Sequence, residues 1–219
     1  MKINKQYQID ICDRLALRRM LPKHGDKIVD VCGGYGRLTG EYIERYKDAY
    51  LFDLSSNLLE QSKNTYGDRI KIVQGSVYEM PFACGEFDAL IMVRTALHLT
   101  DFIAAVKELN RILKNNGTAI IEIANKRNLH EVIKRLCGCS AMHPFSLEPE
   151  GRFKTDFIYY HPRYIEHIFR QNGFKIVKTI AVTGKRTRKN IFGFFFEYLH
   201  QYLFGWLKWS LSIYYLLTK

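Results

Sequence analysis

The sequence predicts an α/β protein built on an open, doubly wound sheet with helices on both faces. Three observations predict it. Short apolar runs rich in β-branched residues recur at 27–31, 49–55, 70–74, 87–93 and 118–124, and each reads as a strand buried on both faces. Segments of helical character lie between several of them, the alternation that builds parallel strands. The first run also passes straight into clustered glycines, Cys32-Gly33-Gly34-Tyr35-Gly36, a turn in which backbone can approach a ligand because no Cβ intervenes.

Taken in order, the polar turn His24-Gly25-Asp26 introduces the first strand, and 40–46 reads as the helix after the glycine loop. The second strand, 49–55, ends in Asp53, with a helix starting near Ser55 or Ser56. The third, 70–74, leads into Gly75-Ser76-Val77, and the fourth, 87–93, into Arg94-Thr95-Ala96-Leu97-His98. A helix over 102–113 carries Ile103, Val106, Leu109, Ile112 and Leu113 on one face, and the turn Lys114-Asn115-Asn116-Gly117 opens the fifth strand, 118–124. Beyond it the pattern predicts a helix over 129–136, a loop through Pro144 and Pro149, a helix over 162–171 begun by Pro162, and strands at 175–181 and 212–219.

The glycines alone leave the ligand open, since Gly34-x-Gly36 with Gly40 passes for a loose dinucleotide fingerprint. Asp30 decides against that reading. A carboxylate beside the loop repels a pyrophosphate but suits a ligand bearing an ammonium and a sulfonium, such as S-adenosylmethionine. Asp53 stands about 20 residues past the loop, where an acid can accept from both ribose hydroxyls, or where it can simply cap the following helix.

With these motifs in register, residues 25–125 resemble the class I S-adenosylmethionine-dependent methyltransferases, in particular the small-molecule group, and a weaker likeness continues to the C-terminus. The family's acidic-x-Gly-x-Gly-x-Gly motif falls on Asp30, Cys32, Gly34 and Gly36, with cysteine where the first glycine is usual and Gly33 beside it to supply freedom. The resemblance implies a Rossmann-like sheet of seven strands, mostly parallel, with an antiparallel C-terminal strand. It implies a donor site formed by Asp30, Cys32, Gly33, Gly34, Gly36, Asp53, Leu54, Ser76, Val77 and Val93, with Ser76 replacing the family's usual aspartate near the adenine. It puts the reaction chamber after the fourth strand. There His98 is the candidate base, or a histidine bonded to local backbone, and Arg94 either neutralises an acidic acceptor or pairs with a surface carboxylate. Tyr7, Tyr159, Tyr160 and His161 are weaker pocket candidates.

The chain reads as one methyltransferase domain: an N-terminal helical segment (1–24), a cofactor-binding core (25–125), a variable acceptor-side segment (126–173) and an aromatic helical insertion (182–210) before the last strand. Five cysteines and no apolar leader imply a reducing, cytoplasmic setting. Cys137, Cys139 and His143 make a poor tetrahedral set, so no metal is expected. The net charge of +11 favours anionic partners. Nucleic-acid methylation is therefore the alternative function, although neither an Asn/Asp-Pro-Pro-aromatic tetrad nor a Pro-Cys pair is present for the common base chemistries. A nicotinamide oxidoreductase is disfavoured by Asp30, and a non-catalytic donor-binding or membrane-surface protein is the remaining alternative. In the insertion, nine aromatics between 191 and 209 accompany Glu197, Gln201 and Lys208 on one helical stripe, after the basic cluster 185–189. That segment reads as a lid over an apolar acceptor, a peripheral membrane contact or a piece of core. Oligomeric state and acceptor identity are not encoded in any motif found.

Overall fold

The computed structural model of the chain describes residues 5–151, 156–182 and 208–219. Its elements run α1 (Lys5–Met20), β1 (Gly25–Val31), β2 (Tyr46–Asp53), α2 (Ser56–Tyr66), β3 (Lys71–Gln74), β4 (Phe87–Met92), α3 (Phe102–Ile112), β5 (Leu113–Ala124), α4 (Leu129–Leu136), β6 (Glu150–Gly151), β7 (Ile158–Tyr159), α5 (Pro162–Gln171), β8 (Lys175–Val182) and β9 (Ser212–Thr218). Seven strands form one sheet in the order β3-β2-β1-β4-β5-β9-β8, and β6 and β7 make a two-stranded hairpin. The pairings from β3 to β5 are parallel, whereas β9 runs antiparallel to both β5 and β8. The C-terminal strand is thus the single reversed member, one place in from the edge. The strand order changes direction between β1 and β4, and open sheets of this kind bind ligands beyond the carboxyl ends of the strands at that point.

Alternation along each strand divides the core between the two faces. Ile28, Leu51, Ala89, Ile91, Ile120 and Tyr214 point to the side covered by α1 and α2, packing with Ala16, Leu17 and Leu59. Val29, Val31, Phe52, Leu90, Met92, Ile121 and Tyr215 point to the side covered by α3 and α5, packing with Val106, Leu109, Ile165 and Phe169. Burial on both faces is why these strands read as unbroken apolar runs. Helix starts are satisfied by side chains: Ser55, Asp101, Asn128 and His161 each accept a backbone N–H at the head of α2, α3, α4 and α5.

The structure corrects two local expectations. The segment 40–46 forms no α-helix. Only a 3₁₀ turn, Thr39–Glu41, is made, through i→i+3 bonds such as Glu41 N–H to Leu38 O (2.9 Å). Gly40 and the β-branched Thr39 and Ile43 are weak helix formers, and the chain re-enters the sheet early, at Tyr46. The expected turn 114–117 is absorbed into β5 as an irregularity. The register slips from Phe87↔Leu113 to Ala89↔Thr118, Asn116 takes φ 65°, and its N–H donates to Lys219 O at 3.2 Å. The β6/β7 hairpin falls within what reads from sequence as loop. The aromatic insertion and the basic cluster 185–189 lie outside the described residues apart from Val182, Lys208, Trp209 and Ser210.

Candidate active site

β1 delivers its carboxyl end into a loop with three left-handed positions, Cys32 (φ 56°), Gly34 (φ 59°) and Gly36 (φ 77°). The cysteine therefore adopts the left-handed conformation itself, and Gly33 is required for space rather than freedom. A Cβ at Gly33 would lie 2.4 Å from Leu51 Cδ1 and 2.6 Å from Asp30 Cγ. The loop is pinned to the neighbouring strand by Gly33 N–H to Phe52 O (3.2 Å) and by Gly34 N–H to Asp53 Oδ2 (2.9 Å). Burial, reinforced by the nearby Asp53 and Asp30 carboxylates, pushes the Cys32 thiol up to about 12, so it stays a neutral packing group.

Asp30 is 2% exposed, directly beneath Gly33, and accepts a hydrogen bond from the Tyr42 hydroxyl at 3.2 Å. Burial raises its carboxyl to about 7, against the pull of Tyr42 and the nearby Arg37. Asp53 does not cap α2, a task performed by Ser55. Its two oxygens accept the N–H groups of Gly34 (2.9 Å) and Ser55 (2.8 Å), tying the glycine loop to the end of β2.

A cavity of about 430 Å³ opens at this point of the sheet, walled by the glycine loop, by Arg37, Leu38 and Leu58, and by Val93, Arg94, Leu97, His98 and Phe157. Of the residues singled out from sequence, it gathers Asp30, Cys32, Gly33, Gly34, Val93, Arg94 and His98. Gly36, Asp53, Leu54, Ser76 and Val77 are off its wall. Gly36 packs against Thr39 and Ser62, where a Cβ would meet oxygens at 2.7 and 2.9 Å, and Leu54 is largely exposed. Ser76 accepts the Tyr78 N–H at 3.4 Å in a local turn at the end of β3. Tyr160 is buried with its hydroxyl on Ala96 O (3.2 Å), and His161 is spent capping α5. Burial, with Arg127, Lys126 and Arg163 nearby, lowers the His161 imidazole to about 4. Tyr159 pairs in the short hairpin, and the side chain of Tyr7 is not among those described. His143 contacts Arg135, and Cys139 donates to Cys137 O, both away from the cavity.

Arg94, at φ 63° just past β4, faces two fully buried carboxylates rather than the surface one considered from sequence. Its Nε and Nη2 bond Asp13 at 3.3 and 2.8 Å, Nη1 bonds Ser212 at 3.0 Å and approaches Glu122 at 3.5 Å, and its backbone N–H donates to Glu122 Oε2 at 3.0 Å. Burial opposes the charge, but Glu122 and Asp13 outweigh it and hold the guanidinium protonated. Asp13 is shared: Arg37 Nη2 lies 3.0 Å from it and the Tyr214 hydroxyl also donates to it. Local patterns could not reveal this cluster, because α1, the glycine loop, the loop after β4, and strands β5 and β9 all contribute to it. His98 is exposed on the cavity rim, its ring edge-on to Phe157 with centroids 4.9 Å apart. Among the described residues its ring nitrogens make no hydrogen bond to backbone, unlike the local arrangement considered from sequence.

A cavity walled by glycine backbone, an acidic group at the root of the loop, and a carboxylate at the end of the second strand together fit a nucleoside joined to a cationic amino-acid end. Residues 29–121 match the family model described as "Methyltransferase domain". Residues 29–121 thus carry a methyltransferase domain of the class I S-adenosylmethionine-dependent kind. Its methyl donor is S-adenosyl-L-methionine. The demethylmenaquinone methyltransferase of Staphylococcus saprophyticus is 26% identical over 77% of this chain and 78% of its own length. That of Staphylococcus carnosus is 32% identical over 48% of this chain and 45% of its own length. The structure of an S-adenosylmethionine-dependent methyltransferase from Mesorhizobium loti superposes with a TM-score of 0.67 at 14% identity, covering 95% of this chain and 98% of that one, which supports the fold. Among the described residues, no helix is long and apolar enough to cross a membrane.

Proposed function

We propose that this methyltransferase acts on a small acceptor with a flat, partly apolar ring of the phenol or hydroquinone kind, and that His98 takes the acceptor's proton. One observation carries the reading: the cavity has the glycine loop and Asp30 at one end and the wall Leu97, His98 and Phe157 at the other. An aromatic edge and an imidazole side by side suit a ring whose nucleophilic position is activated by loss of a hydroxyl proton. The naming of the staphylococcal relatives for a quinone substrate supports the same class.

When bound, S-adenosylmethionine supplies a methyl on a sulfonium, whose thioether leaves without protonation. The remaining work falls to the protein. Asp30, Gly33 and Gly34 receive the amino-acid end, and Asp53, fixed by two backbone N–H groups, presents its remaining lone pairs to the ribose. Val93 and Leu97, on the cavity wall, would exclude water near the transferred group, while Leu54, Ser76 and Val77, off that wall, are assigned to the adenine side by the family resemblance alone. Alignment at near-attack distance provides much of the acceleration, with His98 completing it by proton removal. Arg94 acts as a structural counter-ion to Asp13 and Glu122.

Methyl transfer from labelled donor, read by mass on a panel of hydroquinones, naphthols, amines and thiols, tests the acceptor class. Turnover confined to amines or thiols refutes it. His98→Ala should lower kcat by about 100-fold or more with donor affinity unchanged, and an unaltered kcat removes the base. A second reading, contact with a membrane surface, is favoured by the exposed stripe Leu129, Ile133 and Leu136 on α4, beside Lys134 and Arg135. Reduced co-sedimentation of Ile133→Asp with anionic liposomes supports it, and equal co-sedimentation rules it out.

A further inference from the structure

We propose that Tyr78 is a positioning residue for the acceptor wall: its hydroxyl holds the segment after His98 and thereby fixes the imidazole against Phe157. The proposal rests on the reading of His98 as the group that takes the acceptor's proton. Among the described residues the His98 ring makes no hydrogen bond, and its ring contact is Phe157, edge-on with centroids 4.9 Å apart. Its direction is therefore set by the backbone that carries it. On the N-terminal side that backbone is a 3₁₀ turn, Ala96–His98, closed by His98 N–H to Thr95 O (2.8 Å) and held by the Tyr160 hydroxyl on Ala96 O (3.2 Å). On the other side only Leu99, Thr100 and Asp101 separate His98 from α3, and of these Thr100 and Asp101 are exposed.

Tyr78 fastens that side. Its hydroxyl oxygen accepts the N–H groups of Thr100 (3.0 Å) and Asp101 (3.2 Å) and lies 3.0 Å from Thr100 Oγ1. With both lone pairs taken by N–H groups, the phenol proton is left for the threonine oxygen, so one side chain saturates three groups of the segment. The base from which it reaches is firm. Its neighbours Val77 and Met80 are buried, and Glu79 N–H closes the turn onto Ser76 O at 3.1 Å. Met80 is bonded to α3 at both ends of its peptide unit, its N–H to Glu108 (3.0 Å) and its carbonyl to Arg111 (2.9 Å). Tyr78 is exposed, as are the groups it binds, so water can replace the hydroxyl at small cost in stability. The bonds serve geometry rather than folding, and a phenylalanine in this place would keep the ring and lose the grip.

Proton NMR of the histidine rings tests the hold without any acceptor. The His98 resonance, identified by its loss in His98→Ala, is displaced by the ring current of Phe157, and Phe157→Ala gives its position once that ring is removed. Tyr78→Phe should move the resonance toward the Phe157→Ala position, while the urea midpoint and the calorimetric affinity for S-adenosylmethionine stay those of the wild type. Turnover of naphthohydroquinone supplies the second readout. Tyr78→Phe should lower kcat by about 10- to 100-fold, the effect of a misplaced group. In the His98→Ala background the same change should cost less than about 2-fold, since nothing remains to be positioned. A resonance that stays in place overturns the proposal. So does an equal loss of kcat in both backgrounds, or a midpoint and donor affinity that fall together, either of which marks a merely structural role. The two readings fail separately. If His98→Ala turns over like the wild type while Tyr78→Phe moves the resonance, the base falls and the hold on the wall stands. If His98→Ala is slow and Tyr78→Phe is not, only the positioning role falls. If the wild type does not methylate this acceptor, the acceptor class falls and the resonance alone decides the hold.

Discussion

Replacing Asp30 by asparagine should stabilise the ligand-free protein at alkaline pH and weaken its hold on the donor. Burial raises the Asp30 carboxyl from 3.8, its ordinary value, to about 7. At about 1.4 kcal/mol per pH unit, the folded protein bears a penalty of about 4 kcal/mol once Asp30 ionises, as an upper figure. The sign follows from which state holds the proton. Below pH 3.8 the carboxyl is neutral in both states and no penalty exists. Between 3.8 and about 7 the unfolded chain releases its proton and the folded one keeps it, so stability falls as pH rises, and above 7 the loss is complete. Asparagine cannot ionise and can still accept from the Tyr42 hydroxyl. Urea midpoints of wild type and Asp30→Asn should therefore coincide near pH 4 and diverge by pH 8, with the variant more stable. Donor binding supplies the second measurement. An ammonium beside Asp30 favours the carboxylate, so at pH 6 binding should expel close to one proton. Calorimetric enthalpies in buffers of different ionisation heat will then diverge for the wild type and agree for the variant, whose donor affinity drops about 10- to 100-fold. Parallel stability profiles for the two proteins, or proton release that persists in the variant, would refute the reasoning.

Three other substitutions bear on the same site. Asp53→Ala should lower donor affinity by about 10- to 100-fold in calorimetry with a folded near-UV spectrum, since it removes the ribose acceptor and frees the Gly34 N–H; unchanged affinity removes the ribose assignment. Gly33→Ala should cost about 1–3 kcal/mol in urea unfolding, because its Cβ would sit at 2.4 Å from Leu51 and 2.6 Å from the Asp30 carboxyl carbon. Arg94→Gln should cost about 3–5 kcal/mol by leaving Asp13 and Glu122 buried without their shared cation, and a loss below about 1 kcal/mol would refute the counter-ion role of Arg94.

What was legible in the sequence is what local chemistry determines. The sheet strands announced themselves because parallel strands covered on both faces are apolar throughout, and α4 and α5 have the predicted bounds because Asn128 and Pro162 mark their starts. The helix expected over 40–46 failed because seven residues with Gly40 and Ile43 among them are too few to sustain a helix against β2, which begins at Tyr46. Asp30, Gly33, Gly34, Val93 and His98 could be named in advance because they stand at fixed offsets from strand ends, and such offsets survive folding. Arg37 and Phe157 could not. Phe157 comes from beside a two-residue strand with no periodic signal, and the place of Arg37 depends on Asp13, a partner in another element.

That partner ties the cavity to parts of the chain beyond the matched domain. The first strand, the glycine loop and Asp53 all lie within the matched residues 29–121 or directly beside them. The charge cluster behind the cavity also draws on Asp13 from α1 and on Tyr214 and Ser212 from β9, outside that span at both ends. Arg14 and Arg18 reinforce the arrangement by clasping Glu41, whose turn follows the glycine loop, at 3.1 and 2.6 Å. Since Asp13 meets arginines from the loop and from β4, displacing α1 would strip one counter-ion from two cavity walls at once. Docking of the N-terminal helix and the charge balance behind the cavity wall are therefore coupled through Asp13.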